Sequence, residues 1–430
     1  MKTPRIYDNN ANDVLVRAIV ICLMFCLTAF FTSCGDSPSI QSAETAQDIH
    51  IPEPVPPPAS VREAFDLDPF YQQWIDVEGL PVIASEKVNP YALKEAAWLI
   101  RKMLQHRQDI LQALVQNDVR FVVIAHNEMR TRIPEYRNLR PNYYWDLGGR
   151  GFGPRDPISI ASCGEENLLN YPGDPFRSQN ILIHEFGHAI HIMGLNTVAP
   201  SFDEQLTTAY NSARKKGLWR GTYAITNRKE YWAEGLQSWF DTNSAIDTYQ
   251  NHIETREQLK SYDPGLATLL TEVFGDSDWR YTPATSRTRS SHLQGFNPMQ
   301  SPKFEWPSDL PNYATLHKQL LTPNSDGGGK WVNLKEQDPS QIPNLKSEAN
   351  YTETEIIFVN RTEANIAYYW LDYQGNERFY AQIAANYHVS QTTYVGHFWI
   401  VKDMKGDNVA VFRAEEKTGR AFVTTKVQSK

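Results

Sequence analysis

Apolar residues recur at helical spacing through the first part of the chain, with two short, unbroken apolar runs among them. Between residues 88 and 115 the spacing predicts one helix with Pro90 near its start, where proline is well tolerated. The runs at 119–127 and 158–164 predict short buried strands. Helical spacing returns in three later segments, at 181–195, 230–240 and 264–274. Together these elements predict an α+β domain over residues 61–295.

After about residue 350 the pattern changes to short strand-like segments, including TEIIFVNRT, NIAYYWLDY, HFWIVKD and NVAVFRAE. Turn sequences such as YQGNE and KGDN separate them, which is typical of a small β-sandwich and predicts one over residues 349–430. Residues 296–348 are rich in Ser, Pro, Asn and Gly, which predicts irregular cover followed by a linker. The sequence does not tell whether the two domains touch, although a long linker favours mobility.

The N-terminus has the features of a targeting segment. Basic residues precede an apolar run at 18–31, which is too short to cross a membrane comfortably and ends in FTSCG. This arrangement resembles a bacterial lipoprotein signal in which Cys34 is lipidated and becomes the mature N-terminus, although Phe31 stands where leucine is usual. Ordinary signal cleavage and an uncleaved anchor are the alternatives. Residues 35–60 are polar and contain three consecutive prolines, which predicts a semi-stiff spacer.

Composition limits the remaining possibilities. Hydrophobic residues make up 41% of the 430-residue chain, so most of it is expected to be globular. The net charge of −8 and the lack of a basic stripe argue against nucleic acid as a partner. Cys163 is the single cysteine after position 34, so stability must come from the core and not from an intrachain disulfide. A plain buried cysteine is the simplest interpretation of Cys163, with a redox or metal switch as the alternative.

The segment ILIHEFGHAIHIMGL (181–195) carries candidate metal chemistry. His184 and His188 are four residues apart, so on a helix both imidazoles project from one face, with Glu185 beside them. Zinc held by such histidines lowers the pKa of a bound water to about 7, and the glutamate can take its proton. HExxH also occurs in helices without metal, but the apolar and small flanking residues favour a buried catalytic helix.

The third ligand distinguishes the possible classes of zinc site. A metzincin would carry glycine at 191 and histidine at 194, whereas this chain has His191 and Gly194. We expect His191 to pack or to hydrogen-bond locally. Downstream, Glu230 and Glu234 are again four residues apart, and Glu230 is the candidate ligand. The alternatives are a capping box between Asn227 and Glu230, and ordinary surface charge for Glu234.

These residues resemble a known family. HEFGH followed by Y-x6-E-x3-E, from Tyr223 through Glu230, is similar to the gluzincins related to anthrax lethal factor and the Pro-Pro endopeptidases. The resemblance implies a zincin-like metallopeptidase domain with one Zn²⁺ per chain. It implies three zinc ligands, which are His184, His188 and Glu230. Glu185 would be the general base, Tyr223 the donor to the oxyanion, and Glu234 a residue that orients a zinc-bound histidine.

The C-terminal segment carries a second resemblance. FxNR at 358–361, WLxxxG at 370–375 and TYxGHxW at 393–399 are similar in order and spacing to the β domain of the von Hippel–Lindau tumour suppressor family. That family recognises hydroxyproline in a partner protein. The matching pocket residues are Trp370, Tyr380, Thr393, His397 and Trp399. Thr393 replaces the family's serine, and IAAN replaces its proline-rich turn. The alternative is that these residues are sandwich core and the module is a spacer.

From these patterns we expect a lipid-anchored zinc endopeptidase of the bacterial cell envelope, facing the periplasm or the exterior. Its β domain would bind hydroxyproline-containing or proline-rich protein and concentrate it near the zinc. No ubiquitin-ligase adaptor is expected, because the chain ends before the helical domain that recruits adaptors in the von Hippel–Lindau family. A surface adhesin that uses the sandwich, with a structural or inactive zinc site, is the alternative.

Overall fold

The computed structural model describes residues 49–139, 142–155, 158–243, 250–310, 318–320, 322, 331–350, 352–383, 385 and 387–424. The predicted signal peptide, Cys34 and the first part of the spacer lie outside these residues. Among the residues described, no helix combines the length and the apolar character needed to cross a membrane.

The first domain contains one mixed, five-stranded sheet. Its strands are β1 (Gln73–Val77), β2 (Leu80–Ala84), β3 (Arg120–Ile124), β4 (Gly151–Phe152) and β5 (Ile160–Gly164). They lie in the order β1-β2-β3-β5-β4. Strands β2, β3 and β5 are parallel, whereas β1 and β4 are antiparallel to their neighbours and form the two edges. The predicted strands at 119–127 and 158–164 are confirmed as β3 and β5.

Helices pack around this sheet. They are α1 (Ala59–Ala64), α2 (Pro90–Leu104), α3 (Gln108–Gln116), α4 (Asn142–Leu147), α5 (Glu165–Leu168), α6 (Ile181–Ala189), α7 (Asn196–Val198), α8 (Phe202–Lys216), α9 (Arg228–Trp239), α10 (Arg256–Tyr262) and α11 (Pro264–Phe274). A π-helical turn, Ile190–Leu195, continues α6. Short 3-10 turns occur at Arg130–Arg132, Pro134–Tyr136, Tyr223–Ile225, Ala284–Ser286, Ser291–Leu293, Pro298–Gln300 and Pro339–Asn344.

The helix predicted over residues 88–115 is two helices. Asn89 caps α2 by accepting a hydrogen bond from the Tyr91 amide at 3.1 Å, and proline follows at the first helical position. The chain then leaves helical geometry at the polar residues before α3, and both Leu104 and Leu111 enter the same core. Periodicity alone did not predict this break, because the tertiary core and not the local pattern determines it.

The C-terminal domain is a sandwich of two four-stranded sheets. Its strands are β6 (Val332–Asn333), β7 (Glu353–Asn360), β8 (Ile366–Leu371), β9 (Glu377–Ile383), β10 (His388–Tyr394), β11 (Phe398–Asp403), β12 (Asn408–Arg413) and β13 (Gly419–Val423). The sheets have the orders β10-β7-β13-β6 and β12-β11-β8-β9. Phe358, Tyr368, Trp399 and Phe412 pack between them. The predicted all-β C-terminal region is therefore confirmed.

The two domains pack against each other, in contrast to the mobility that the linker favoured. The indole N–H of Trp145 donates to the Glu355 carboxylate at 2.7 Å, and both side chains are buried. Leu320 and Trp331, from the segment predicted to be cover and linker, fill the space between Leu147 and the β7 face. That segment also contributes β6, which pairs in parallel with β13. Apolar side chains within the predicted linker thus attach one domain to the other.

The end of the predicted spacer that lies nearest the first domain packs against that domain. Ile51 is 6% exposed and belongs to the main core. Glu53 pairs with Lys94 at 2.8 Å, and the Val55 backbone exchanges hydrogen bonds with Trp74 on β1. A proline-rich composition favours an extended backbone, but an extended segment can still pack along a sheet edge.

This packing predicts that Ile51→Ala will lower the free energy of unfolding by about 2–4 kcal/mol, because it leaves a cavity in the core. Val55→Ala is the matched control: Val55 is 48% exposed and its bridge to Trp74 uses only the backbone, so we expect a change of about 0.5 kcal/mol or less. Urea unfolding of the full chain in detergent, followed by tryptophan fluorescence, measures both. Equal, near-zero effects would show that this segment is a free spacer.

Candidate metal centre

Two helices meet closely at the candidate site. Asn180 caps α6 by accepting from the Ile183 amide at 3.0 Å, and Asn227 caps α9 by accepting from the amides of Lys229 and Glu230. At Gly187 a β-carbon would lie 2.7 Å from Cδ2 of Leu236, so any larger residue would force the Leu236 side chain to move. The Trp232 indole N–H donates to the Gly187 carbonyl at 2.9 Å and fixes the crossing.

The three candidate ligands converge where these helices meet. Glu230 Oε2 lies 3.1 Å from His184 Nε2 and 3.4 Å from His188 Nε2. One donor atom from each residue lies within 4.8 Å of the other two. Both histidines are buried and Glu230 is partly buried. Two imidazoles and one carboxylate at this separation are the donor set that zinc takes in catalytic sites.

The contacts of Glu230 and Glu234 distinguish a metal site from a capping box and from surface charge. Asn227 is the N-cap of α9, as the capping interpretation required, but the Glu230 carboxylate faces the two imidazoles. Glu234 is only 1% exposed, so its interpretation as surface charge is wrong. Its Oε1 lies 3.4 Å from His184 Nδ1, which is the orienting position that the gluzincin resemblance implied.

Gln237 is a site residue that the sequence analysis missed. Its Oε1 lies 3.0 Å from His184 Nδ1, and its amide N–H donates to the Asn180 carbonyl at 3.2 Å. An acceptor at Nδ1 keeps a proton there, so Nε2, which faces Glu230 and His188, is the nitrogen that would give up its proton to bind a cation. The helical spacing could have identified Gln237, because positions 230, 234 and 237 share one face of a helix.

The charges of the site depend on one another. Burial alone would lower the pKa of His184, but the hydrogen bond with Glu230 and the surrounding carboxylates raise it to about 10. Burial also opposes ionisation of Glu230, yet the two imidazoles hold the pKa of this carboxyl well below its usual range. Glu230 is therefore anionic at neutral pH, as a ligand to a cation must be.

Glu185 lies between the two candidate ligand histidines and the edge strand β4. A β-carbon at Gly151 of β4 would lie 2.8 Å from Cγ of Glu185, and Arg130 donates to the Gly151 carbonyl at 2.8 Å. Burial raises the pKa of Glu185, with the two neighbouring histidines acting in the opposite direction. A raised pKa makes a carboxylate a stronger proton acceptor.

Tyr223 stands at the open side of the site. It begins the 3-10 turn Tyr223–Ile225, is 37% exposed, and its ring lies 6.4 Å from the His184 ring. The Glu230 carboxylate, with burial and the Tyr387 phenol as further contributions, raises the pKa of Tyr223 well above its usual range. The hydroxyl therefore stays protonated and can donate a hydrogen bond.

Two nearby residues have ordinary structural roles. His191 is buried, its Nε2 lies 3.0 Å from Asp203, and its ring packs against Phe202 and Trp232, as the sequence analysis expected. Cys163 is buried on β5, and burial raises the pKa of its thiol well above the usual range. A thiol held neutral in this way is not reactive.

The five pocket residues predicted in the sandwich also come together. The Trp399 indole N–H donates to Thr393 Oγ1 at 3.0 Å, and that oxygen lies 3.2 Å from His397 Nδ1. The Trp370 ring lies 5.2 Å from His397, and the Tyr380 ring 4.7 Å from Trp399. Trp399 is fully buried, as expected of a sandwich-core residue, whereas Tyr380 is 43% exposed and is not part of the core.

The pocket has further features that the sequence did not indicate. Tyr373, in the turn after β8, places its hydroxyl 3.5 Å from His397 Nε2 and its ring edge against Trp370. The Trp370 indole N–H is buried without a partner among the described residues. A buried donor is costly when it stays unpaired, so an acceptor on a ligand in this pocket would stabilise it.

Comparison with known proteins identifies one of the two domains. Residues 345–419 match the family model of the VHL beta domain. The C-terminal resemblance is therefore confirmed over the sandwich. A search of curated proteins finds no match to the chain.

The contact at His184 predicts that Gln237→Leu will weaken zinc binding 10- to 100-fold, because the imidazole loses the nearer of the two acceptors at Nδ1. Ser238→Ala is the matched control, since Ser238 is equally buried but its hydroxyl bonds to the Glu234 and Ile253 carbonyls and to the Asn243 amide, not to His184. Competition with a chromogenic chelator measures both affinities. Unchanged zinc affinity in Gln237→Leu would contradict this role.

Proposed function

We propose that this protein is a zinc endopeptidase with a zincin-like catalytic domain, anchored through Cys34 to a membrane of the bacterial cell envelope. Its C-terminal domain binds hydroxyproline-containing or proline-rich protein substrates. The observation that carries the proposal is the convergence of His184, His188 and Glu230, with Glu185 beside them. A purely structural site needs no such additional carboxylate.

The donor set suits zinc over the harder divalent cations. Imidazole nitrogens are preferred by zinc, whereas Mg²⁺ and Ca²⁺ take oxygen ligands. Held by His184, His188 and Glu230, zinc would supply a Lewis acid that polarises a peptide carbonyl and lowers the pKa of water. Gln237 and Glu234 keep the His184 ring in the orientation that this requires.

Two side chains provide the proton transfer and the stabilisation of the oxyanion. Glu185 accepts the proton of the attacking water and passes it to the departing amine, which is general base and then general acid catalysis. Tyr223 donates its hydroxyl proton in a hydrogen bond to the carbonyl oxygen as negative charge develops there. Its raised pKa keeps this donor protonated.

The sandwich pocket suits a hydroxylated pyrrolidine ring. Trp370 and Tyr380 offer aromatic faces, and the buried Trp399 supports Tyr380 from beneath the pocket surface. The Thr393 hydroxyl and His397 offer polar atoms to a 4-hydroxyl group. A site built to hydrogen-bond a hydroxyl rejects an analogue that lacks it, because the polar groups of the site would be left unpaired. Hydroxyproline is therefore favoured over proline.

The exposed pocket aromatics also support a second candidate, a surface binding protein that uses the sandwich alone. The two functions differ in what they require of Glu185 and Tyr223. A binding protein needs neither a base nor an oxyanion donor next to its metal.

Incubating the full chain in detergent with gelatin or a plant hydroxyproline-rich glycoprotein tests the proposal. We expect cleavage by wild type, at least a hundredfold loss in Glu185→Gln, and a loss of about 10²–10³ in kcat for Tyr223→Phe. Both variants should retain about one zinc per chain, which serves as the control for folding. Zinc without cleavage in wild type, together with tight binding of the same proteins, would favour the binding protein.

A further inference from the structure

We infer that the sandwich pocket and the metal centre form one continuous substrate cleft, in which the pocket fixes how many residues separate a hydroxyproline from the bond that is cleaved. This inference rests on the proposed function, because it assigns a substrate register to the same site. The sandwich would then be a fixed wall of the cleft, and not a mobile module that only raises the local concentration of substrate.

The first observation is an attachment at the Tyr223 side of the metal centre. The backbone N–H of Gln382, on β9, donates to the Thr226 carbonyl at 3.0 Å. In the amide orientation that the network requires, the Gln382 side-chain oxygen accepts from the Arg214 guanidinium at 2.6 Å. Thr226 in turn donates to the Tyr223 carbonyl through both its backbone N–H and its hydroxyl, at 3.0 and 2.8 Å. Strand β9 is therefore bonded to the turn that holds the proposed oxyanion donor.

The second attachment reaches the other side of the metal centre. Trp145 on α4 donates to Glu355 on β7, and Glu355 is the register partner of Thr392 on β10. The Trp145 ring packs 5.6 Å from the ring of Phe152 on β4. Phe152 follows Gly151, which lies against Glu185. The sandwich thus also supports the strand that borders the catalytic glutamate.

These two attachments involve both sheets of the sandwich. Strands β9 and β10 are each an outer strand of their own sheet, and the chain passes directly from one to the other. The attachments lie on β9 and on β7, the neighbour of β10, so this side of the sandwich faces both Tyr223 and the strand that borders Glu185. Two separate attachments limit rotation of the sandwich to the line that joins them, and the apolar contacts between Leu147, Trp331 and Ile357 restrict it further.

The pocket lies close along the same edge. Tyr380 is two residues before Gln382 on β9, a distance of about 7 Å along a strand. Thr226 and Tyr223 are three residues apart in a 3-10 turn, which corresponds to a distance of about 6 Å. With the hydrogen bond between them, Tyr380 and the oxyanion donor Tyr223 are separated by no more than about 20 Å, which an extended peptide spans in roughly six residues.

This geometry predicts the cleavage pattern of a peptide series. A mobile tether raises the effective concentration of substrate without choosing a bond. A pocket fixed to the cleft instead selects bonds at one offset from the residue it holds. The substrate class is an extended peptide with one hydroxyproline within about six residues of the scissile bond.

The experiment moves a single hydroxyproline stepwise through peptides of otherwise uniform repeat sequence. Each peptide is incubated with the zinc-loaded full chain in detergent, and the products are mapped by mass spectrometry. We expect the cleaved bond to move in step with the hydroxyproline. We also expect the proline versions of the same peptides to be cleaved at least tenfold more slowly.

Variants of two neighbouring residues provide the matched control. Tyr380 and Phe379 are adjacent on β9 and equally exposed, but the Tyr380 ring contacts Trp399 whereas the Phe379 ring contacts Tyr369. Tyr380→Ala should lose the fixed offset and at least tenfold in kcat/KM, and Phe379→Ala should keep both. Cleavage at positions independent of the hydroxyproline would overturn the inference and leave the peptidase standing. No cleavage of any peptide would overturn the proposed function and this inference with it.

Discussion

The close approach of α6 and α9 at Gly187 places the Glu230 carboxylate between the imidazoles of His184 and His188. The other features of the centre depend on this contact. A side chain at 187 would displace the Leu236 side chain from this contact. Any separation of the two helices would take from the buried polar groups the partners that offset their desolvation. Because Glu234 and Gln237 lie on the same face of α9, the approach that delivers Glu230 also brings them to His184 Nδ1.

The sandwich adds a constraint of a different kind. Its bonds to Thr226 and to Trp145 lie beside Tyr223 and beside the β4 strand, so the shape of the cleft depends on both domains. The apolar side chains that the linker places against Leu147 reinforce this docking. If the sandwich binds substrate as we propose, a domain held in this way would act through position more than through concentration.

Much of this arrangement could be predicted from local sequence. The HEFGH spacing and the pair Glu230 and Glu234 identify helix faces, and the alternation after residue 350 identifies the sandwich. Gln237 was missed because a glutamine carries no recognisable motif, although its spacing from Glu230 places it on the correct face. The break between α2 and α3, the packing of Ile51 and the docking of the two domains depend on tertiary contacts, which periodicity does not encode.

The most direct test of the metal centre is anomalous diffraction at the zinc absorption edge from crystals of the full chain grown with zinc. The account predicts one strong peak within about 2.0–2.2 Å of His184 Nε2, His188 Nε2 and a Glu230 oxygen. It also predicts that the imidazole Nδ1 of His184 keeps its contact with Gln237. No peak among these residues, or a zinc ion held elsewhere in the chain, would contradict the central claim.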